Sequence, residues 1–283
     1  MREYFSGRYF KCQSKDKTVA VIHAYHRANG KASCSIQIIT DSGAWNAVFP
    51  CDVYSEDKKN GTVRIGGNYF GTDKMALDID DGALSAHGSV FFGALTPIKY
   101  DIMGPFRFVP FMQCRHSVLS MYHTVSGEIE INGERFIFNG DTGYIEGDRG
   151  YSFPKVYSWT QCIFNGGSLM LSVADIPFGL FHFTGIIGVV YAHGKEHRIA
   201  TYLGAKAEKI EGGEIVIKQK NTRLTAKLVE KHAHPLYAPV GGEMTRVIRE
   251  SASCRAYYKL EDGGGTVLEF ESEKASFEYE YPN

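Results

Sequence analysis

The stretch GDTGYIEGDRGYSFPKVYSWTQCIF, residues 140–164, crowds two carboxylic acids, an arginine and one of the chain's two tryptophans into a short span. Glu146 and Asp148 are two apart, so on an extended chain they point to one side, because alternate residues of a strand share a face. Two carboxyls held together away from water do not both ionise easily. One is kept as a proton donor and the other as a charged neighbour. That pair could protonate an alkene and then steady the cation that forms. Aromatic faces stabilise cations too, and Tyr157 and Trp159 share a face of the following run, while Gln161, with Gln13, reads as fixing the two β-domains by hydrogen bonding ahead of any ligand contact. Arg149 either pairs with Asp148 or projects to the opposite face, where it would anchor a substrate oxygen.

Arg115 and His116 form a second candidate. A cationic pair after an aromatic, proline-bearing stretch suits a phenolate or carboxylate head group, and His116 could serve as a general base. Each reading has a structural counterpart. The acidic, glycine-flanked run also fits a salt-bridged brace, and Arg115 also fits an ion pair with Glu146 or Asp148. His23 and His26 fall on opposite faces of one strand and so cannot share a metal. His23 reads as half-buried and hydrogen-bonded. His232 and His234 have chelating spacing but no third ligand nearby in sequence, so no metal is expected. No GxSxG, P-loop or dinucleotide-binding pattern is present.

The elements that must position these residues are strands. The 283 residues include 18 Phe, 17 Tyr and 31 Gly against 9 Pro, a balance that favours strands joined by glycine turns. Val19, Val21, His23 and Tyr25 alternate along one face; Asn29–Gly30 reverses the chain; Ile36 and Ile38 follow. The segment EIEINGERFIF, 128–138, is a hairpin about Asn132–Gly133. Further turns fall at Asn60–Gly61, Asp81–Gly82, Asn165–Gly166 and Asp262–Gly263. The one stretch with any helical character is 243–251. An all-β protein follows.

Tyr9 and Gln13 recur at the same spacing as Tyr157 and Gln161, each pair opening a similar succession of strands and turns. This implies a duplication: one β-domain over 1–140 and another over 141–283, with a crossing segment at about 95–117 whose Pro97, Pro105 and Pro110 discourage central strands. Thirty-one basic and 32 acidic side chains leave a net charge of -1, which excludes a general nucleic-acid binder. The six scattered cysteines contain no CxxC pair, so no structural zinc site is expected. MREYFSGRYFKCQ has no apolar core of a signal peptide, and GIIGVVYA (185–192) is far shorter than the ~20 residues of a membrane helix. A cytoplasmic protein with no transmembrane segment is the expectation. Oligomeric state is left open, since edge strands can pair between chains.

GRYFKCQ, MGPFRFVPFMQCRHSVLSMYH (103–123) and TGYIEGDRGYSFPKVYSWTQCIF (142–164) together resemble the tocopherol cyclase family, in order and spacing over most of the chain. That family is related in fold to carotenoid hydratase and Diels–Alderase-like proteins built of two lipocalin-like β-barrels. The resemblance therefore implies two lipocalin-like antiparallel barrels in tandem with little helix. It also implies an enzyme that protonates the alkene of a hydrophobic, prenylated substrate and closes a phenol oxygen onto the cation, with no redox cofactor or metal. Glu146, Asp148 and His116 would then be catalytic, and Arg115, Arg149, Tyr157, Trp159 and Gln161 would bind substrate. This chain has Glu-Gly-Asp-Arg-Gly at 146–150, with Arg149 where plant-type cyclases carry tryptophan. The competing reading is a non-catalytic carrier of a lipid or isoprenoid, whose cargo would occupy a barrel interior.

Overall fold

The computed structural model describes residues 3–110, 112–178, 181–230 and 233–282. Among them no α-helix occurs, only strands and three short 3-10 turns. The strands are β1 (Tyr4–Gln13), β2 (Thr18–Ala28), β3 (Lys31–Thr40), β4 (Ala44–Pro50), β5 (Tyr54–Asp57), β6 (Thr62–Ile65), β7 (Asn68–Phe70), β8 (Lys74–Asp80), β9 (Ser85–Phe92), β10 (Cys114–Ile131) and β11 (Glu134–Gly150). They continue with β12 (Tyr157–Phe164), β13 (Gly167–Phe178), β14 (Phe181–Ala192), β15 (Lys195–Ala200), β16 (Lys206–Glu211), β17 (Glu214–Gln219), β18 (Thr222–Glu230), β19 (His234–Val240), β20 (Glu243–Asp262) and β21 (Gly265–Tyr279).

β1–β11 make one antiparallel sheet in the order 4-3-2-1-11-10-9-8-7-6-5, and β12–β21 make a second in the order 15-14-13-12-21-20-18-17-16, with β19 beside β20. The duplication is visible in this order. β1 and β12, which carry Tyr9–Gln13 and Tyr157–Gln161, hold the same place, each between its own hairpin partner and the last strand of its sheet. Among the described residues neither hydrogen-bonded path closes on itself, so each sheet shows two edges where a closed barrel would have none.

Local chemistry explains the ladders. Asn29 and Asn132 adopt positive φ (51° and 49°) ahead of Gly30 and Gly133, which is what a two-residue turn matching the strand twist demands. The stretch 243–251 is strand, the first part of β20, and not the expected helix. Exposure alternates regularly over 243–250, but Arg246 and buried Glu250 take inward positions and exposed Val247 an outward one, so the residue types hide the two-residue period.

Each sheet has its own apolar core. In the first, Phe10, Cys12, Val21, Ile36, Phe70, Phe136 and Ile145 are among the buried members, with Phe92 packed against them. The rings of Phe10 and Phe92 stack at 6.0 Å. In the second, Cys162, Leu171, Ile186, Tyr258 and Phe277 hold the equivalent position. The chain divides into two compact units, one of Met1–Pro97, Gln113–Phe153 and Leu236–Val247, the other of Ile98–Met112, Pro154–Pro235 and Ile248–Asn283. The boundary expected at 140 falls inside β11, whose whole length belongs to the first sheet.

The proline-bearing crossing segment is held to the second unit by Arg198. Its guanidinium donates to the carbonyls of Tyr100 (2.8 Å) and Asp101 (3.0 Å), pairs with Glu196 at 2.9 Å, and lies 3.7 Å from the Tyr100 ring centroid. Both ion-pair side chains are only 5% exposed. Removing one partner would leave a buried charge uncompensated, so Arg198→Met is expected to cost about 3–5 kcal/mol in chemical denaturation. Arg198→Lys should recover only part of that, because one ammonium cannot serve several acceptors in fixed directions. An Arg198→Met protein as stable as the parent would show that the clamp contributes nothing.

Candidate active site

β10 and β11 are the longest hairpin of the first sheet, and their ladder sets His116 opposite Asp148 and Val118 opposite Glu146. Register shifts between Val118 and Ser120 and between Ser120 and His123 follow immediately. Bulges of this kind re-aim side chains beside functional sites. Here they decide which residue of β10 meets the carboxyls.

The imidazole of His116 lies between two acids. Nδ1 is 3.0 Å from Asp148 Oδ1 and Nε2 is 3.1 Å from Glu146 Oε2. The Nε2 contact is close enough for an ion pair, but its angles fall short of a hydrogen bond. Tyr144, one alternation before Glu146, donates its hydroxyl to Glu146 Oε2 at 2.6 Å, and the Cys114 thiol lies 3.3 Å from Asp148 Oδ1. The side chains of His116 and Glu146 are 9% and 6% exposed, whereas Asp148 is 23% exposed and forms the open side of the cluster.

This group sits on the face of the sheet turned away from its apolar core. Ile145 and Phe10, partners across β11 and β1, are core residues; Tyr144, Glu146 and Asp148 therefore project the other way. Gly147 between the acids and Gly143 just ahead of Tyr144 serve packing. A Cβ on Gly147 would come within 2.9 Å of the Gly7 carbonyl, and one on Gly143 within 2.5 Å of His123 Nε2. The EGD spacing thus alternates carboxyls on one face with close backbone approach on the other.

Burial alone would lower the pKa of His116, but the negative charges of Glu146 and Asp148 and the hydrogen bond to Asp148 outweigh it and hold it well above 6.5. Burial, reinforced by the neighbouring carboxylates, pushes the Tyr144 hydroxyl and the Cys114 thiol well above their ordinary values, so both keep their protons. The result is a proton-rich cluster of a cationic imidazolium, two hydrogen-bond donors and two carboxyl groups. An imidazole that already holds its proton cannot accept another, which is at odds with the general-base role expected for His116.

His116, Glu146 and Asp148 offer ligand atoms within 4.8 Å of one another, so a cation is admissible on spacing alone. The imidazole ring, however, turns one nitrogen to each carboxyl. An imidazolium is held that way, whereas metal ligands converge on a common point beside one nitrogen.

Of the residues expected from sequence, Glu146, Asp148 and His116 come together. Arg115 and Arg149 are cross-strand partners of each other, one position out of phase with the cluster, and so lie on the opposite face of the sheet. Neither is placed to anchor a substrate oxygen at the carboxyls. Tyr157, Trp159 and Gln161 belong to the second sheet, where all three are buried on the face away from its core. Tyr157 donates its hydroxyl to Glu278 Oε2, Glu278 lies opposite Trp159, and buried Glu250 lies opposite Glu278. Tyr144 and Cys114 were missed, although the alternation that links Glu146 to Asp148 also reaches Tyr144.

His23 of β2 departs from the half-buried, hydrogen-bonded state expected for it. His26 is the hydrogen-bonded one, to Ser33 and Ser35. His23 is buried in the first core against Phe70, with both ring nitrogens lacking a hydrogen-bond partner. His234 opens β19, and His232 lies outside the described residues.

Fold and site together define an all-β protein of two like antiparallel sheets, the first bearing a buried imidazolium–carboxyl cluster on its polar face. No protein-family model matches the chain, and no curated protein matches it in sequence. Solved structures do share its fold. CghA with bound Sch210972 superposes with a TM-score of 0.65 at 10% identity, over 99% of this chain and 89% of that one. Kievitone hydratase from Nectria haematococca gives a TM-score of 0.58 at 11% identity, over 99% of this chain and 89% of that one. No helix among the described residues is long and apolar enough to cross a membrane.

Proposed function

We propose that this protein is a tocopherol cyclase-like enzyme that uses the Asp148–His116–Glu146 cluster for acid-catalysed cyclisation or isomerisation of a hydrophobic, prenylated substrate of the isoprenoid or quinol type. The observation that carries this reading is the imidazolium held between two carboxyl groups, only one of which is open. Asp148 is the proton donor, in a state where Glu146, the larger of the two charges on His116, alone holds the imidazolium. It is the most exposed member, while Glu146 is already engaged by Tyr144 and His116. When Asp148 gives its proton to the less substituted carbon of a trisubstituted alkene, the carboxylate left behind stands 3.0 Å from a cation, which lowers the barrier to that loss. The tertiary cation is then captured by the phenol oxygen, and the phenol proton returns to Asp148. The net reaction is an isomerisation without redox change: one C–H and one C–O bond form while the alkene π bond and the phenol O–H bond are broken.

The resemblance of residues 142–164 to tocopherol cyclases supports the substrate class, and a fold shared with a protein named as a hydratase supports the chemistry. Addition of water to an alkene and closure of a phenol onto one begin with the same proton transfer. In the first sheet's core the Phe10 ring meets Phe70 at a tilt and stacks on Phe92, and such aromatic filling speaks against a cargo carried there.

The test is turnover of a panel of prenylated hydroquinones in deuterium oxide. A chromanol carrying one deuterium on the ring carbon next to the new quaternary centre is expected. A product without solvent deuterium, or no cyclised product from any member of the panel, would overturn the proposal.

A further inference from the structure

Gln161 lies in β12 of the second sheet, fully buried, and neither its Oε1 nor its Nε2 has a hydrogen-bond partner. Buried amides are almost always satisfied, because stripping water from one without replacing its bonds costs about 1–3 kcal/mol per group. A primary amide offers an acceptor and two donors side by side. Its surroundings on the same face are the indole of Trp159, two residues back, and the Tyr157–Glu278 hydrogen bond beyond. Ser276, its cross-strand partner, donates its hydroxyl to the Ala252 carbonyl at 3.2 Å and makes no hydrogen bond to the amide.

From this arrangement we infer that Gln161 and Trp159 form a ligand-binding subsite on the polar face of the second sheet. Its ligand is a neutral molecule with a carboxamide, or an equivalent adjacent donor and acceptor, on an aromatic or other apolar body. The amide edge meets Gln161, whose geometry is complementary to it, and the apolar body lies against the indole. An anion is disfavoured by the neighbouring Glu278 and Glu250. The inference does not depend on the chemistry proposed for Asp148, since it concerns binding alone.

The chain has two tryptophans, Trp45 and Trp159, so Trp45→Phe leaves Trp159 as the only indole reporter. Titrating that protein with benzamide and with toluene separates amide recognition from simple burial. Benzamide should perturb Trp159 emission with an apparent Kd about fivefold or more below that of toluene, the worth of one to two net hydrogen bonds. Gln161→Leu should erase that preference while leaving the toluene response. Its melting midpoint should be unchanged or higher, because an unsatisfied amide is replaced by an apolar group of similar size. Equal responses to the two probes, no response to either, or a Gln161→Leu protein that melts several degrees lower would overturn the inference. The last outcome would mean that the amide is part of the fold's own hydrogen bonding.

Discussion

Asp148→Asn should lower turnover by about a thousandfold, within the 10²–10⁴ range typical of a positioned acid, and leave the fold intact. An amide of the same shape still accepts from the imidazolium at 3.0 Å but has no proton to give an alkene. Glu146→Gln should behave differently. Glu146 is the larger of the two charges that raise the His116 pKa, so its loss lets burial pull that pKa down. If the imidazolium is needed to receive the Asp148 carboxylate, activity falls as pH rises through the His116 pKa. The alkaline limb of the pH–rate profile should therefore move to lower pH in Glu146→Gln, with a smaller loss at its optimum. Full turnover in both variants would remove the cluster from the mechanism. A Glu146→Gln profile superposable on the parent's would remove His116 from it.

The contrast between these variants depends on register, and register is where the sequence stopped being legible. Strand and turn were readable: period-two alternation around Asn132–Gly133 needs only local rules, and the hairpin formed there. Placing Glu146 and Asp148 on one face needed only the geometry of a strand. Their partner was another matter. Ile131 pairs with Glu134 at the turn, and simple counting back from it would set His116 opposite Arg149. The irregularities near Ser126, Ser120 and Val118 leave a net slip of one residue, which turns every side chain of that part of β10 to the other face relative to β11. His116 thereby replaces Arg115 as the cation beside the acids. No local pattern announces those bulges, because they are settled by packing across three strands.

The same limit applies to what is buried. Alternation put His23 on the face of Val19 and Val21, but an apolar run does not say whether a histidine within it will find a partner. Phe10 and Phe70 approach from strands far apart in sequence, and they leave it none.

Acid should destabilise this protein steeply below about pH 6.5, and His23→Leu should remove a measurable part of that loss. Burial, with a smaller contribution from the charge of Arg8, depresses the His23 pKa to about 3. Burial also takes His26 and His123 to about 4. In the unfolded chain these groups titrate near 6.5. A depressed histidine favours the folded state fully above 6.5. As pH falls below that value the unfolded chain takes up protons that the folded one refuses, so the stabilisation is lost progressively down to the folded pKa. Each pH unit is worth about 1.4 kcal/mol per histidine, so at pH 5 His23 alone accounts for about 2 kcal/mol. His116 has the opposite sign. Its pKa is raised, so its contribution is complete below 6.5 and disappears only as pH climbs through its higher folded value. Urea denaturation at pH 5.0, 5.5, 6.5, 7.5, 8.5 and 9.5 separates the two. The parent and His23→Leu should diverge only on the acid side, whereas His116→Gln should keep the parent's acid slope and lose its stability deficit as the solution becomes alkaline. Parallel acid limbs for parent and His23→Leu would mean that the imidazole in the first core is already charged or already hydrated. In either case its burial against Phe10 and Phe70 would not be the source of its depressed pKa.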